Sequence, residues 1–216
     1  MARGLSGAAG LFKVGSQLFT AEGPRSIERI AKLGFGIFLD LKFHDIPNTA
    51  LGAAAAAAKL PGIRMMTLHA SGGLEMMRAA REAVPAKRGS PALIAVTILT
   101  SLNAAALKQI GISGSPSDRA VALARLAQQA GLDGVVASAH EVPKIRQECG
   151  PKFLIVVPGV RPTSASLDDQ SRVATPSEAI SAGADYLVVG RPITAAPDPR
   201  AAALAIAAEI ASARRP

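Results

Sequence analysis

Short apolar runs alternate along the chain with longer stretches of helical periodicity. The runs are LFKVG (11–15), GIFLDLK (36–42), RMMTLHA (64–70), ALIAVTIL (92–99), DGVVAS (133–138), FLIVVPG (153–159) and DYLVVG (185–190). Each is continuous or nearly so and often β-branched, which is how a strand covered on both faces reads. Helices are expected between them, near 22–33, 46–59, 73–84, 117–130, 140–148, 176–183 and 198–214. Asp118 and Asp198 suit helix starts, and Gly131 and Gly183 suit stops. The alanine run at 53–58 predicts a close-packing helix, since alanine is the best helix former. The segment GISGSPSD (111–118) reads as a loop at the rim of the fold, and His140 as the start of the sixth helix.

Strands alternating with helices predict a parallel sheet with right-handed crossovers. Seven strands in 216 residues favour a TIM (β/α)8-type barrel over an open sheet. An open dinucleotide-binding sheet would place G-x-G-x-x-G after its first strand, and no such motif follows Val14-Gly15. With no internal repeat and no linker, residues 1–216 are expected to form one α/β barrel domain.

Polar residues collect where the runs end: Lys13; Asp40 and Lys42; His69; Thr100; Arg161; Gly190 and Arg191. Barrel enzymes build their sites at that C-terminal rim. Residues two apart in a strand share a face, so Asp40 and Lys42 point together and continue the stripe of Phe38. Asp45 falls just past this strand, and Pro47 sits where the first turn of a helix tolerates proline. Lys13 ends the preceding strand and can reach the same mouth. Two carboxylates and two ammoniums are thereby gathered at one rim. Burying ions costs several kcal/mol each unless they are well paired, and catalysis is a common reason to bear that cost.

Charge and composition narrow the picture. The net charge of +8, from 24 basic and 16 acidic residues, would suit an anionic partner. The basic residues are scattered and aromatics are 3% of the chain, which argues against nucleic acid; a small anionic substrate would use some of the charge. The lone cysteine, Cys149, excludes an intrachain disulfide, fits a reducing cytoplasm and has no metal-ligand spacing around it. No apolar run approaches the roughly 18 residues of a membrane span, and Lys13 interrupts the N-terminal stretch too early for a signal peptide.

The string D-x-K-x-x-D-I-P-N-T at 40–49 resembles the signature of the orotidine 5′-phosphate decarboxylases. The resemblance runs on through FKVG and E-G-P at 22–24, TLHASGG, VTILTS, VVPGVRP, DDQ and VVGRPIT. It implies a cofactor-free and metal-free decarboxylation that yields UMP. Loss of CO2 from C6 of the pyrimidine leaves a carbanion with no adjacent carbonyl to delocalise it, so the protein must stabilise it electrostatically. By resemblance, Lys42 holds its ammonium against that charge and then protonates C6. Asp40 lies near the departing carboxylate, and Lys13 bridges the sugar and Asp40. Asp45 completes the network, reaching in from the other subunit of a homodimer, and Ile46 and Thr49 of the same string contact substrate. Thr100, Arg161, Gln170, Gly190 and Arg191 complete the substrate contacts, the last two at the phosphate. Neither His44 nor His69 is given a chemical role.

The likeness has one departure. The family opens with a further strand ending in a ribose-binding aspartate, whereas no Asp precedes Asp40 and residues 2–10 suffice only for the tail of a first helix. The first β unit is therefore expected to be missing, and the chain as written to be poorly soluble or weakly active. Two alternatives stand beside the decarboxylase. One is an Mg2+-dependent 3-keto-sugar-phosphate decarboxylase or hexulose-phosphate synthase on the same scaffold. The other is an inactive barrel.

Overall fold

The structure, a computed structural model, describes residues 1–162 and 174–213. Among these, seven parallel strands pair in strict chain order. They are β1 (Leu11–Gly15), β2 (Gly36–Phe43), β3 (Ile63–His69), β4 (Ala92–Val96), β5 (Gly134–Val136), β6 (Leu154–Pro158) and β7 (Tyr186–Val188). Helices cover the outside of this nearly closed barrel. The first four are α1 (Ser16–Glu22), α2 (Pro24–Ala31), α3 (Pro47–Ala58) and α4 (Gly73–Ala83). Then come α5 (Ala104–Gln109), α6 (Pro116–Gln129), α7 (Val142–Cys149), α8 (Pro176–Ser181), α9 (Arg191–Thr194) and α10 (Pro199–Ala213).

The continuous apolar runs divide by alternation into two cores. Val14, Ile37, Leu39, Met66, Leu68, Leu93, Ala95, Val135, Ile155 and Val157 face the helices. Phe38, Met65, Ile94 and Val156 face the lumen, with Leu11, Ala92, Val136, Leu154 and Val188 against them. This is the period of two that a strand imposes, with both faces buried. Each large side chain so buried contributes roughly 1.5–3 kcal/mol.

Helix boundaries show where local chemistry overrode the expected spans. One helix was expected at 22–33; the chain forms two. Gly23 adopts a left-handed φ of +59° and closes α1, and Pro24, with no N–H to satisfy, opens α2. Asp118 does not start its helix. Ser115 is the cap, its hydroxyl accepting from the Asp118 N–H, and Pro116 is the first helical residue. The loop expected at 111–118 therefore ends at Ser115. His140 lies in a short 3-10 turn, Ala139–Glu141, ahead of α7. Asp198 does cap α10, accepting from Arg200 and Ala201. Gly131 and Gly183 take left-handed φ just past α6 and α8. The alanine run lies in α3, with Ala54 and Ala57 buried.

Residues Ala2–Leu5 form a 3-10 turn, not the tail of an α-helix. Leu5 is buried, and Arg200 of α10 donates to the carbonyls of Gly4 (3.1 Å) and Ser6 (2.7 Å). Between β1 and β7 lies an apolar slot of about 330 Å3. It is lined by Leu11 and Lys13 on one side, Tyr186 and Val188 on the other, Phe38 at depth and Ile206 of α10.

Candidate active site

Two residues beyond the lumen cluster, the strands turn polar. Lys13 follows Leu11, Asp40 follows Phe38 and Thr67 follows Met65, each on the same inward face. Lys42 Nζ donates to Asp40 Oδ2 at 2.8 Å, and Lys13 Nζ lies 3.4 Å from the same oxygen. Thr67 Oγ1 donates to the other oxygen, Asp40 Oδ1, at 3.0 Å. Gly15 leaves free the space that Lys13 Nζ uses: a Cβ there would stand 3.0 Å from it.

The strand is not regular at this point. The pairing of β2 with β3 slips between Leu39 and Phe43, so that three residues of β2 stand opposite Thr67 alone. Lys42 occupies the left-handed region, with φ +54°, which is uncommon for a residue with a Cβ. Its N–H points at Thr67 Oγ1, 2.9 Å away. Strand alternation alone did not reveal this: Asp40 and Lys42 converge, but through a bulge.

The Asp40 side chain is 12% exposed, against 38% for Lys13 and 33% for Lys42. Burial pushes its carboxyl pKa up. The hydrogen bond and charge of Lys42, the charge of Lys13 and the Thr67 hydroxyl outweigh that, and hold it below the usual carboxylate range. His69, next inward residue after Thr67, faces His44 with ring centroids 5.3 Å apart. Burial, then His44 and Lys42, lower its pKa, against a smaller opposing pull from Asp40.

The remaining sequence-predicted residues are placed as follows. Asp45 does not join the cluster: it is exposed on the turn after β2, where its Oδ1 accepts from the Ile46 N–H at 2.7 Å. The exposed stretch continues through Ile46, which is 66% exposed, to Thr49 in the first turn of α3. Thr100 is half-buried in the loop after β4, and Arg161 is buried just after β6. Gly190 and Arg191 are exposed at the end of the β7 segment, Arg191 opening α9. Gln170 lies outside the described residues. Thr67 carried no assignment in the sequence; a threonine two positions beyond an inward methionine is the only signal it gave. Cys149 is buried in α7, its thiol pKa pushed up chiefly by burial, with the backbone carbonyl engaged by Gln128.

The site is thus an apolar lumen closed at the top by two ammoniums on one ionised, buried carboxylate. Such a group can stabilise negative charge that develops next to it. Known proteins resemble the chain over nearly its whole length. The chain is 55% identical over 212 residues to an orotidine 5′-phosphate decarboxylase of Nitrosococcus oceani, covering 98% of this chain and 91% of the relative. It is 56% identical over 201 residues to one of Halorhodospira halophila, covering 93% and 85%. The crystal structure of the Lactobacillus acidophilus orotidine 5′-phosphate decarboxylase superposes with a TM-score of 0.81 at 41% identity, covering 92% of this chain and 85% of that one. Residues 1–206 match the family profile throughout, and the chain belongs to the orotidine 5′-phosphate decarboxylase / HUMPS family.

Proposed function

We propose that this chain decarboxylates orotidine 5′-phosphate to UMP with its own side chains, without metal or organic cofactor. The observation that carries the reading is the Lys13–Asp40–Lys42 cluster at the mouth of an apolar lumen, in a member of this family. Lys42 supplies the charge that stabilises the C6 carbanion as CO2 leaves, and then the proton that quenches it. Asp40 holds Lys42 in place from a position beside the departing carboxylate. Lys13 bridges Asp40 and the ribose.

The phosphate binds where Gly190 lets the backbone approach and Arg191 offers a planar fork, with Arg161 and Gln170 adding donors and Thr100 contacting the base. Asp45, Ile46 and Thr49 serve a second copy's site in a homodimer. The support for this is their continuous exposure on one turn beside the mouth, including a large apolar side chain left in water. The protein works as a single barrel unit in the cytoplasm, a reducing compartment that its lone cysteine, Cys149, fits.

The test is conversion of orotidine 5′-phosphate to UMP by the purified chain, with and without a strong chelator. Turnover unchanged by the chelator is expected. Turnover abolished by the chelator and restored by Mg2+ would favour the Mg2+-dependent sister chemistry instead.

A further inference from the structure

Thr67 is completely buried, and its hydroxyl bonds both charged residues of β2, once as donor and once as acceptor. It donates to Asp40 Oδ1 and accepts from the Lys42 backbone N–H. It also stands opposite the bulge, where one residue of β3 must answer three of β2. The left-handed backbone of Lys42 needs such a restraint, because the surroundings must over-determine an unfavourable φ. A β-branched threonine suits that task, since its χ1 is stiff and its hydroxyl is held in one direction. Thr97, just past the end of β4, offers a contrast. It is also buried, but its hydroxyl donates to the Val136 carbonyl at 2.8 Å and to no charged group.

We propose that Thr67 is a positioning residue: its hydroxyl locks the bulge of β2 so that the Lys42 ammonium folds back onto Asp40 at the place where the carbanion forms. The proposal rests on the decarboxylase reading for its effect on rate, but not for its effect on Asp40. Valine at position 67 fills the same space and lacks both bonds. Without them the Lys42 N–H loses its partner, Asp40 loses a donor, and the bulge is free to relax.

The experiment compares Thr67→Val, Thr67→Ser and Thr97→Val in the full chain by three measurements. The first is kcat and KM for orotidine 5′-phosphate. Thr67→Val should lower kcat by up to about 100-fold, the scale that mispositioning a reacting group costs, with KM and UMP affinity little changed. Thr67→Ser should recover most of the loss. The second is NMR titration of the Asp40 carboxyl, which should move upward in Thr67→Val only, because a donor to the ionised form has gone. The third is thermal unfolding, in which Thr67→Val and Thr97→Val should fall by similar amounts. An unchanged kcat and an unmoved Asp40 titration in Thr67→Val would overturn the proposal, as would equal defects in the Val and Ser variants. If the unsubstituted chain does not turn over orotidine 5′-phosphate, the decarboxylase reading fails, and the Asp40 titration still decides whether Thr67 holds the cluster.

Discussion

Asp40 stands between opposing influences. Burial favours its neutral form, and two ammoniums and a hydroxyl favour the charged one; the second set wins. A carboxylate whose folded pKa lies below its ordinary 3.8 stabilises the fold above that value. Its contribution is lost as pH falls through the lower folded value, because the unfolded chain takes up the proton first. His69 works in the same direction at higher pH. Burial, His44 and Lys42 lower the pH at which its ring protonates, while the unfolded chain protonates around the ordinary 6.5. Stability should therefore decline on acidification in two windows, one beginning near 6.5 for His69 and one below 3.8 for Asp40. Denaturant midpoints measured across that range check this, and His69→Phe should remove the upper window alone. At the phosphate end, Arg191→Ala should weaken UMP binding by about 10- to 100-fold, as loss of a charge-assisted contact does, and leave uridine binding nearly unchanged. Equal losses for both ligands would make Arg191 structural. That Lys13, Asp40 and Lys42 share one rim was legible in the sequence, because all three stand at strand ends; the bulge through which Lys42 meets Asp40 is not what a period of two describes. The left-handed Lys42 and the hydroxyl of Thr67 were not legible. A bulge leaves no periodic trace, and a buried threonine in an apolar run looks like any strand residue.

At the scale of elements, one device recurs that the sequence does not display as a repeat. Asp133 precedes β5 and Asp185 precedes β7. Each accepts from a backbone N–H of the neighbouring strand: Asp133 from Leu93 at 2.7 Å, Asp185 from Ile155 at 2.8 Å. Each also binds an arginine from a helix, Arg81 of α4 and Arg146 of α7 respectively. Arg146 further donates to the carbonyls of Gly150, Phe153 and Gly183, tying α7 to the ends of two strand connections. The signature A-G-x-D-x-x-V at 130–136 and 182–188 encodes both, but as four scattered positions it is too sparse to stand out. Asp185→Ala removes the counter-charge of a largely buried guanidinium, which keeps its carbonyl partners, and leaves the Ile155 N–H without its acceptor. It should cost about 2–3 kcal/mol, or roughly 5–10 °C in Tm for a domain of this size. Arg29→Ala breaks only the exposed pair with Glu22 and should cost under about 1 kcal/mol. Thermal unfolding of the two variants checks the ranking. The main strands and helices were legible because their apolar pattern is long. The short helices at 16–22, 104–109 and 191–194 were not expected, since they follow from capping by Asn103 and breaks at glycine and proline rather than from periodicity.

At the scale of the whole molecule, the sheet has two edges among the described residues: β1 and β7 each pair on one side. Edges are what a closed barrel avoids, and the slot between these two opens onto the lumen cluster. Its apolar lining suits an extended segment of alternating apolar residues running parallel to both. Fusing such a segment ahead of Met1 should raise Tm and turnover together; a fusion that changes neither would show that the slot needs no strand.

The proposed homodimer is tested by mixing. Lys42→Ala and Asp45→Ala subunits, each inactive alone, should regain activity when co-assembled, because one site of the mixed pair then has both residues. Confirmed heterodimers that stay inactive would place Asp45 in its own subunit's site or outside the mechanism.

The proposed chemistry depends on the ammonium that Asp40 holds at the barrel mouth. Lys42→Ala, assayed for conversion of orotidine 5′-phosphate and for UMP binding, is the decisive variant. It should fold, bind UMP and show no measurable turnover; near-normal turnover would remove Lys42 from the chemistry.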